Sequence, residues 1–180
     1  MRVISGYLKS RVISLPKNAR NVRPTTDRAR ETLFNIISNF IDFPGCRVLD
    51  LFAGSGSFGI ECISRGAASC VFVDTNTEPL KKNIETLGLG DKSKLVKSDS
   101  LAYLRKNTHE EFSIVFADPP YAYGDYEKLL ESVKVYKTYF ILEHSEKFVN
   151  ITDYGSYLFK NKKIGLTSFN IYNFSERYEE

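Results

Sequence analysis

Residues 47–59 read R-V-L-D-L-F-A-G-S-G-S-F-G, and this stretch decides how the chain folds. Its first half is an apolar run of the length of a buried strand, and the run stops at Ala53-Gly54. A pattern of helical spacing begins at about Gly56. Strand, glycine turn and helix form the first half of a β-α-β unit. Glycine turns also occur without ligands, but ligands of open parallel sheets bind at the carboxyl ends of strands, so we predict a ligand site here.

Two classes of cofactor use such a turn. The spacing Gly54-x-Gly56-x-x-Gly59, with Asp74 after the next apolar run, fits a dinucleotide site. Asp50 argues against a dinucleotide, because a carboxylate inside the strand would repel a pyrophosphate in a partly desolvated site. The same carboxylate suits S-adenosylmethionine, a sulfonium with an amino-acid tail and no phosphate. Asp74 could accept hydrogen bonds from the ribose of either cofactor, so Asp50 decides the prediction in favour of the methyl donor.

The composition is typical of a single soluble domain. The chain has 180 residues, 42% of them hydrophobic and 26% charged, which is enough for a core without disulfides or metals. No apolar run reaches the ~18 residues of a membrane span, and the first residues do not resemble a signal segment. Cys46, Cys62 and Cys70 form no Cys-x-x-Cys pair and indicate buried thiols in a reducing cytoplasm. Since only His109 and His144 could join them, we expect no metal site.

Positive charge is concentrated at the amino end of the chain. Residues 1–30 hold eight basic residues and one acidic residue, a net charge of +7, whereas the rest hold 17 basic and 21 acidic residues, a net charge of −4. Such asymmetry is typical of a nucleic-acid-binding edge, although solvated basic surfaces are also common. We predict a basic hairpin and connector at residues 1–22 and a cofactor-binding domain at residues 23–180. The predicted RNA-binding residues are Arg2, Lys9, Arg11, Arg23 and Arg28.

The remaining chain alternates between short apolar runs and amphipathic helical patterns. This order predicts an α/β fold with a mostly parallel, doubly wound sheet, an antiparallel pair of strands at its carboxyl-terminal edge and an N-terminal β-hairpin. The predicted strands are 70–73, 94–97, 113–117 and 139–142, the predicted helices are 29–40, 78–87, 101–106 and 126–135, and the hairpins are 3–8 with 11–15 and 154–159 with 163–174.

Asp118-Pro119-Pro120-Tyr121 follows a predicted strand, so it should lie at the same sheet edge as the glycine turn. Two prolines stiffen this loop and remove two backbone donors, leaving carbonyl acceptors beside a carboxylate. A flat substrate with an amino group could donate its N–H bonds to Asp118 and to the Pro119 carbonyl. The carboxylate would then stabilise positive charge on the nitrogen during methyl transfer. Tyr121 would stack on the base, although the loop could also be a simple proline-stiffened turn.

With both motifs in place, the chain resembles the small bacterial methyltransferases that modify the exocyclic N2 of one guanine in 16S ribosomal RNA. The resemblance covers nearly the whole length and implies a Rossmann-like class I methyltransferase fold. Adenine and glutamine amino-methyltransferases share the motif at residues 118–121, so the motif at residues 23–28 is the more discriminating. The motifs are Arg23-Pro24-Thr25-Thr26-Asp27-Arg28, Val48-Leu49-Asp50-Leu51-Phe52-Ala53-Gly54-Ser55-Gly56, Ser64-Arg65-Gly66-Ala67-Ala68 and Asp118-Pro119-Pro120-Tyr121.

The resemblance implies roles for individual residues. Asp118, Pro119 and Tyr121 would be catalytic, and His144 would have a structural or substrate-contact role, because methyl transfer to this amine needs no strong base. Asp74 stands where the family often has glutamate, so the shorter side chain must approach the ribose more closely. The implied S-adenosylmethionine-binding residues are Thr25 and Thr26 at the carboxylate end, Asp50, Gly54 and Gly56 along the methionine part, Phe52 in the same set, Asp74 at the ribose and Asp99 at the adenine amino group.

The predicted function is therefore methyl transfer to 16S ribosomal RNA, or to the small ribosomal subunit, by a cytoplasmic, monomeric enzyme. Three alternatives stay open at this point. The chain could be an adenine-N6 DNA methyltransferase, although it has little room for a target-recognition domain. It could be an RNA-binding assembly factor without turnover, or a dehydrogenase that uses the dinucleotide pattern.

Overall fold

The computed structural model describes residues 1–15, 27–144 and 152–176. Within them, one seven-stranded sheet has the order β3-β2-β1-β4-β5-β7-β6. The strands are β1 (Arg47–Leu51), β2 (Ser69–Asp74), β3 (Ser93–Lys97), β4 (Ile114–Ala117), β5 (Tyr139–His144), β6 (Leu158–Ile164) and β7 (Thr167–Asn173). The α-helices are α1 (Asp27–Ile37), α2 (Ser57–Ser64), α3 (Glu78–Leu87), α4 (Ser100–Lys106) and α5 (Tyr126–Lys134).

The sheet confirms the predicted fold class. The strands from β3 to β5 pair in parallel, whereas β7 pairs antiparallel with both β5 and β6. Strand order reverses between β1 and its neighbour β4, which creates a crevice at their carboxyl ends. The glycine turn follows β1 and the Asp118 loop follows β4, so the two sequence motifs lie on either side of this crevice.

Local sequence explains where the central helices begin and end. Pro79 stands in the first turn of α3, where a missing N–H costs nothing, and Gly88 ends that helix in the left-handed conformation at φ 67°. Asp99 caps α4 by accepting a hydrogen bond from the Ala102 N–H at 2.9 Å. These helices therefore begin and end within a residue of the predicted positions.

Each face of the sheet carries its own apolar core. On one face α1, α2 and α3 pack with the first N-terminal residues, and on the other α4 and α5 pack with β4, β5 and the end of β7. Strands β1 and β4 contribute to both cores, because alternate side chains point to opposite faces. Among the described residues, no helix has the length and apolar character needed to span a bilayer.

The N-terminal segment doubles back as predicted, but it does not form two strands. A single isolated bridge joins Arg2 to Val12, and the turn between them is irregular. The segment holds its place by docking on α2, where Gly6 comes so close that a Cβ atom would lie 1.8 Å from the Ser64 carbonyl oxygen. Contacts to the helix thus add to the few backbone hydrogen bonds between the two arms, which run from the N–H groups of Val3, Ser10 and Ile13 to the carbonyls of Arg11, Val3 and Met1.

The predicted antiparallel pair at the carboxyl-terminal edge is confirmed, but its first strand does not begin at residue 154. Residues Thr152–Tyr157 form a 3₁₀ helix, and β6 begins at Leu158. The turn of the final hairpin lies at Gly165, with φ 65°, rather than before Lys163. Tyr157 is buried with its ring 5.5 Å from that of Phe174, so aromatic packing holds this turn against the end of the sheet.

Candidate active site

The three glycines after β1 have different roles in the structure. A Cβ atom on Gly56 would lie 2.4 Å from Leu80, and one on Gly59 would lie 2.4 Å from Phe72, so both permit close packing of the protein. A Cβ atom on Gly54 would meet nothing closer than 3.9 Å. Gly54 therefore faces open space, as expected of backbone that a ligand approaches.

Phe52 begins this turn with a strained backbone. Its φ of 56° lies in the left-handed region, which a bulky residue rarely adopts. Strain of this kind often marks functional sites. The aromatic ring lies edge-on to Tyr123 at 5.2 Å, so the two predicted motif loops contact each other across the crevice.

Asp50 is a buried carboxylate at the bottom of the crevice. It is 1% exposed and accepts a hydrogen bond from the Gly59 N–H at 3.0 Å. Burial raises the pKa of Asp50 well above 3.8, the Gly59 hydrogen bond opposes this rise, and the charges of Asp118 and Asp74 add to it. Three carboxyl groups thus share one small region, which favours a cationic ligand over a phosphate.

Asp74 and Asp99 continue the row of carboxylates along the sheet edge, after β2 and β3. Asp74 accepts hydrogen bonds from the N–H groups of Gly54 and Asn76, both at 2.8 Å. Asp99 is exposed and accepts the capping hydrogen bond from Ala102. A carboxylate has about four acceptor positions, so each of them keeps the capacity for a further donor.

Asp118 opens the loop on the other side of the crevice. Burial of its carboxyl group raises the pKa of Asp118 to about 7, although the residue keeps an exposed face where water screens the charge and limits the rise. Pro119 is buried, while Tyr121 is 58% exposed. The Pro120 carbonyl accepts a hydrogen bond from the Tyr123 N–H at 2.8 Å, which closes the loop.

Two aromatic residues next to this loop were missed by the sequence analysis. The rings of Tyr123 and Tyr126 meet edge to face at 5.1 Å. Burial, followed by the charge of Asp118, raises the pKa of Tyr126. The repeated tyrosines in Y-A-Y-G-D-Y at residues 121–126 were the available signal. Together with Phe52 they form an aromatic wall beside the Asp118 carboxylate.

A pocket lies between the two loops. The rings of Phe58 and Phe116 stack there at 4.0 Å with an interplanar angle of 6°. The β4–β5 register pairs Ala117 with Leu142, which places Glu143 beside Asp118. Glu143 is buried, and the sequence analysis gave it no role. The lining residues are Arg30, Leu33, Phe34, Asp50, Phe52, Ala53, Ser57, Phe58, Phe116, Asp118 and Glu143.

Arg30 and Glu61 form a buried charged network beside this pocket. Arg30 Nη2 lies 3.5 Å from Glu61 Oε2, and the two side chains are 4% and 0% exposed. Arg30 Nη1 donates to the Arg2 carbonyl at 3.0 Å. Glu61 accepts hydrogen bonds from the N–H groups of Ile4 at 2.7 Å and Ser5 at 2.9 Å. The network therefore joins the N-terminal segment to α1, α2 and the pocket.

The predicted RNA-binding residues lie on the surface as far as they are described. Arg2, Lys9, Arg11 and Arg28 are exposed, and the Arg2 guanidinium donates to the Ser10 carbonyl at 2.8 Å. The other predicted residues of this region, Arg23 together with Thr25 and Thr26 of the cofactor set, lie outside the described residues.

The two histidines differ in exposure, and the three cysteines are the buried thiols that the sequence predicts. His144 is buried at the end of β5, in register with Ser168 of β7, and His109 is exposed. All three cysteines are free and buried. In the described ranges no group of histidine, cysteine or acidic side chains could hold a metal ion.

Comparisons with known proteins cover nearly the whole chain. The profile of the family described as Conserved hypothetical protein 95 matches residues 1–173. Ribosomal RNA small subunit methyltransferase D of Buchnera aphidicola is 40% identical over 90% of this chain and 86% of that protein. The protein of the same name from Haemophilus influenzae is 34% identical over 96% and 93%. The solved structure of yhhF from Escherichia coli superposes with a TM-score of 0.79, 28% identity and coverage of 100% and 99%.

Proposed function

Because this chain belongs to the ribosomal RNA small subunit methyltransferase D family, as its motifs predicted, we propose that it transfers a methyl group from S-adenosylmethionine to the N2 amine of a guanine in 16S ribosomal RNA. The observation that carries the proposal is the pair Asp50 and Asp118, which lie at the carboxyl ends of neighbouring strands and line one pocket. One carboxylate is suited to a cationic cofactor and the other to an amine.

The pocket fits the charge of S-adenosylmethionine. Asp50 is buried without a cationic partner among the described residues, and neighbouring carboxylates raise its pKa further. A cationic ligand near Asp50 would relieve this repulsion. We propose that Asp50, Phe52, Gly54 and Gly56 line the methionine part, with Asp74 at the ribose and Asp99 at the adenine. When bound, this cofactor supplies an electrophilic methyl group.

Asp118 would orient the target amine. Its carboxylate accepts an N–H of the amine, which turns the nitrogen lone pair toward the methyl group, and then stabilises the positive charge that develops on nitrogen. Pro119 supplies a second acceptor through its carbonyl. The half-exposed Tyr121 would stack on a base that has left its helix. Catalysis would rest mainly on positioning of the reacting groups.

We assign RNA contact to the exposed basic residues of the amino end. Their high charge density suits a phosphate backbone, and Arg28 begins the same helix that supplies Arg30 to the pocket. The natural substrate would be 16S ribosomal RNA or a small-subunit particle in the cytoplasm, bound by a monomer. The N-terminal segment, proposed as the RNA-contact unit, is packed directly on α2.

The test is transfer of labelled methyl from S-adenosylmethionine to small ribosomal subunits that lack the modification. Protein-free 16S RNA and duplex DNA serve as parallel substrates, and the labelled nucleoside is identified. We expect N2-methylguanosine from a ribosomal sample. N6-methyladenine in DNA would favour the DNA methyltransferase, and tight cofactor binding without any transfer would favour an assembly factor.

Asp118→Ala should abolish this transfer while cofactor affinity changes little, because Asp118 is assigned to the amine. Asp125→Ala is the matched control, since Asp125 lies near the same loop and, in the described part of the chain, its carboxylate forms an ion pair with the exposed Lys128 alone. An equal loss of turnover and of cofactor affinity in Asp118→Ala would contradict the role proposed for this residue.

A further inference from the structure

Among the described residues that line the pocket, Arg30 is the only one with a cationic side chain, and it is not among the predicted site residues. It projects from α1 and is 3% exposed. Burial lowers the pKa of its guanidinium, while the charges of Glu61 and Asp27 raise it. A buried guanidinium in an otherwise acidic pocket indicates a specific task, because such a group is costly to desolvate.

The contacts of Arg30 leave part of the guanidinium unused. The Nη1 atom donates to the Arg2 carbonyl and to Asp27 Oδ1 at 3.2 Å, and Nη2 lies 3.5 Å from both the Ser57 carbonyl and Glu61 Oε2. The Nε atom is buried and has no acceptor among the described residues. A buried donor without a partner is unfavourable, so an acceptor supplied by a ligand would stabilise this arrangement.

Arg30 and Asp50 line the same pocket but form no ion pair with each other. The pocket thus presents a buried cation and a buried anion that do not neutralise each other. A ligand with both an ammonium and a carboxylate group matches this pattern, since each of its charges would meet the opposite one. The amino-acid tail of S-adenosylmethionine is such a group.

We propose that Arg30 forms a carboxylate-binding subsite, in which its guanidinium binds the α-carboxylate of the cofactor while Asp50 binds the α-amino group. The inference rests on the proposed use of S-adenosylmethionine. It adds a charged partner to the carboxylate end, where the sequence analysis placed only the hydroxyl groups of Thr25 and Thr26.

The subsite also has a consequence for RNA binding. The guanidinium that binds the carboxylate holds the Arg2 carbonyl as well, so the pocket and the basic N-terminal segment share one side chain. Cofactor binding in the pocket should therefore order the N-terminal segment. If the two sites are coupled, the cofactor changes the affinity for RNA by the same factor by which RNA changes the affinity for the cofactor.

The experiment compares the affinities of S-adenosylmethionine and its decarboxylated form for the same protein by calorimetry. Removing the carboxylate should weaken binding to the unaltered protein by about 10- to 100-fold, as expected for a buried charge-assisted hydrogen bond. Arg30→Met should bind the two compounds with similar affinity. Arg65→Met is the matched control, because Arg65 also pairs with Glu61, at 2.9 Å, but does not line the pocket. It should keep the preference of the unaltered protein.

An Arg30→Met protein that keeps the full preference would overturn the subsite. The unaltered protein provides a second test that needs no variant, since equal affinity for both compounds would overturn the proposal even if Arg30→Met failed to fold. Failure of the unaltered protein to bind either compound would instead contradict the proposed cofactor.

Discussion

Glu61→Gln should strongly destabilise the protein, because the four groups that contact this buried carboxylate are all hydrogen-bond donors. Two are the backbone N–H groups of Ile4 and Ser5, and two are the guanidinium groups of Arg30 and Arg65. A carboxylate offers only acceptors, whereas the amide of Gln would turn its own NH₂ group toward donors. The substitution keeps the size of the side chain, so its effect reports charge and hydrogen bonding rather than packing.

The size of the expected loss of stability follows from the contacts that Arg30 keeps in Glu61→Gln. Arg30 would keep only Asp27 as a charged partner, and the Asp27 side chain is 64% exposed. Removing one partner of a buried ion pair typically costs about 3–5 kcal/mol. For a chain of this size that loss corresponds to a fall of roughly 6–20 °C in the melting temperature.

Urea unfolding and amide hydrogen exchange would measure the effect. We expect the free energy of unfolding to fall by about 3–5 kcal/mol and the amides of Ile4, Ser5, Tyr7 and Leu8 to lose protection first, because the N-terminal segment docks through this region. The control is Asp125→Asn, whose ion pair with an exposed lysine is worth at most about 1 kcal/mol.

A loss below about 1 kcal/mol in Glu61→Gln, no larger than that of an exposed ion pair, would refute this reasoning if exchange at the N-terminal amides were also unchanged. The charged network would then be incidental to docking. A large loss of stability with normal protection of those amides would show instead that Glu61 supports α2 alone.

Three further predictions concern the charged residues of the site. Asp50→Asn should be more stable than the unaltered protein at pH 8 and should bind the cofactor weakly. Because burial raises the pKa of Asp50 above 3.8, unfolding curves should show that the difference in stability between the two proteins shrinks as the pH falls through the raised pKa. The rate of methyl transfer should decline as the pH falls through the neutral range, because the pKa of Asp118 is raised to about 7 and the protonated acid cannot stabilise positive charge. Asp118→Asn should keep a residual rate that does not change with pH in this range. Replacing Arg2, Lys9 and Arg11 with Gln should weaken RNA binding and reduce the salt slope by about 0.7 for each lost contact to a single strand, and an unchanged slope in filter-binding titrations would contradict their role.

The parts of the fold that local sequence controls could be predicted. The run before Gly54 predicted a strand, Gly88 marked the end of α3, and the position of Asp118 after a strand placed it at the edge that carries the glycine turn. Each of these features depends on a few adjacent residues. Parallel sheet topology then brings the carboxyl ends of the strands together.

The parts of the fold that depend on contacts between residues far apart in the sequence could not be predicted. Arg30 and Glu61 look like exposed helix residues in the sequence, and only the tertiary structure shows that each is buried against the other. Residues 154–159 alternate like a strand, but Tyr157 packs on Phe174, which follows the last strand. The N-terminal segment has the pattern of a hairpin, and its two arms do share backbone hydrogen bonds, but its docking on α2 has no signal in the local sequence.

Strand β6 has a consequence for how copies of the protein behave at high concentration. It is the outermost strand of the sheet, and its central residues are exposed, including Lys160, Lys162 and Lys163. An open edge is a template on which a second sheet can grow. Two copies that joined through β6 would bring their lysines face to face, which like-charge repulsion opposes. The lysines therefore oppose polymerisation through this edge at low salt. Added salt screens their repulsion, so it should increase self-association.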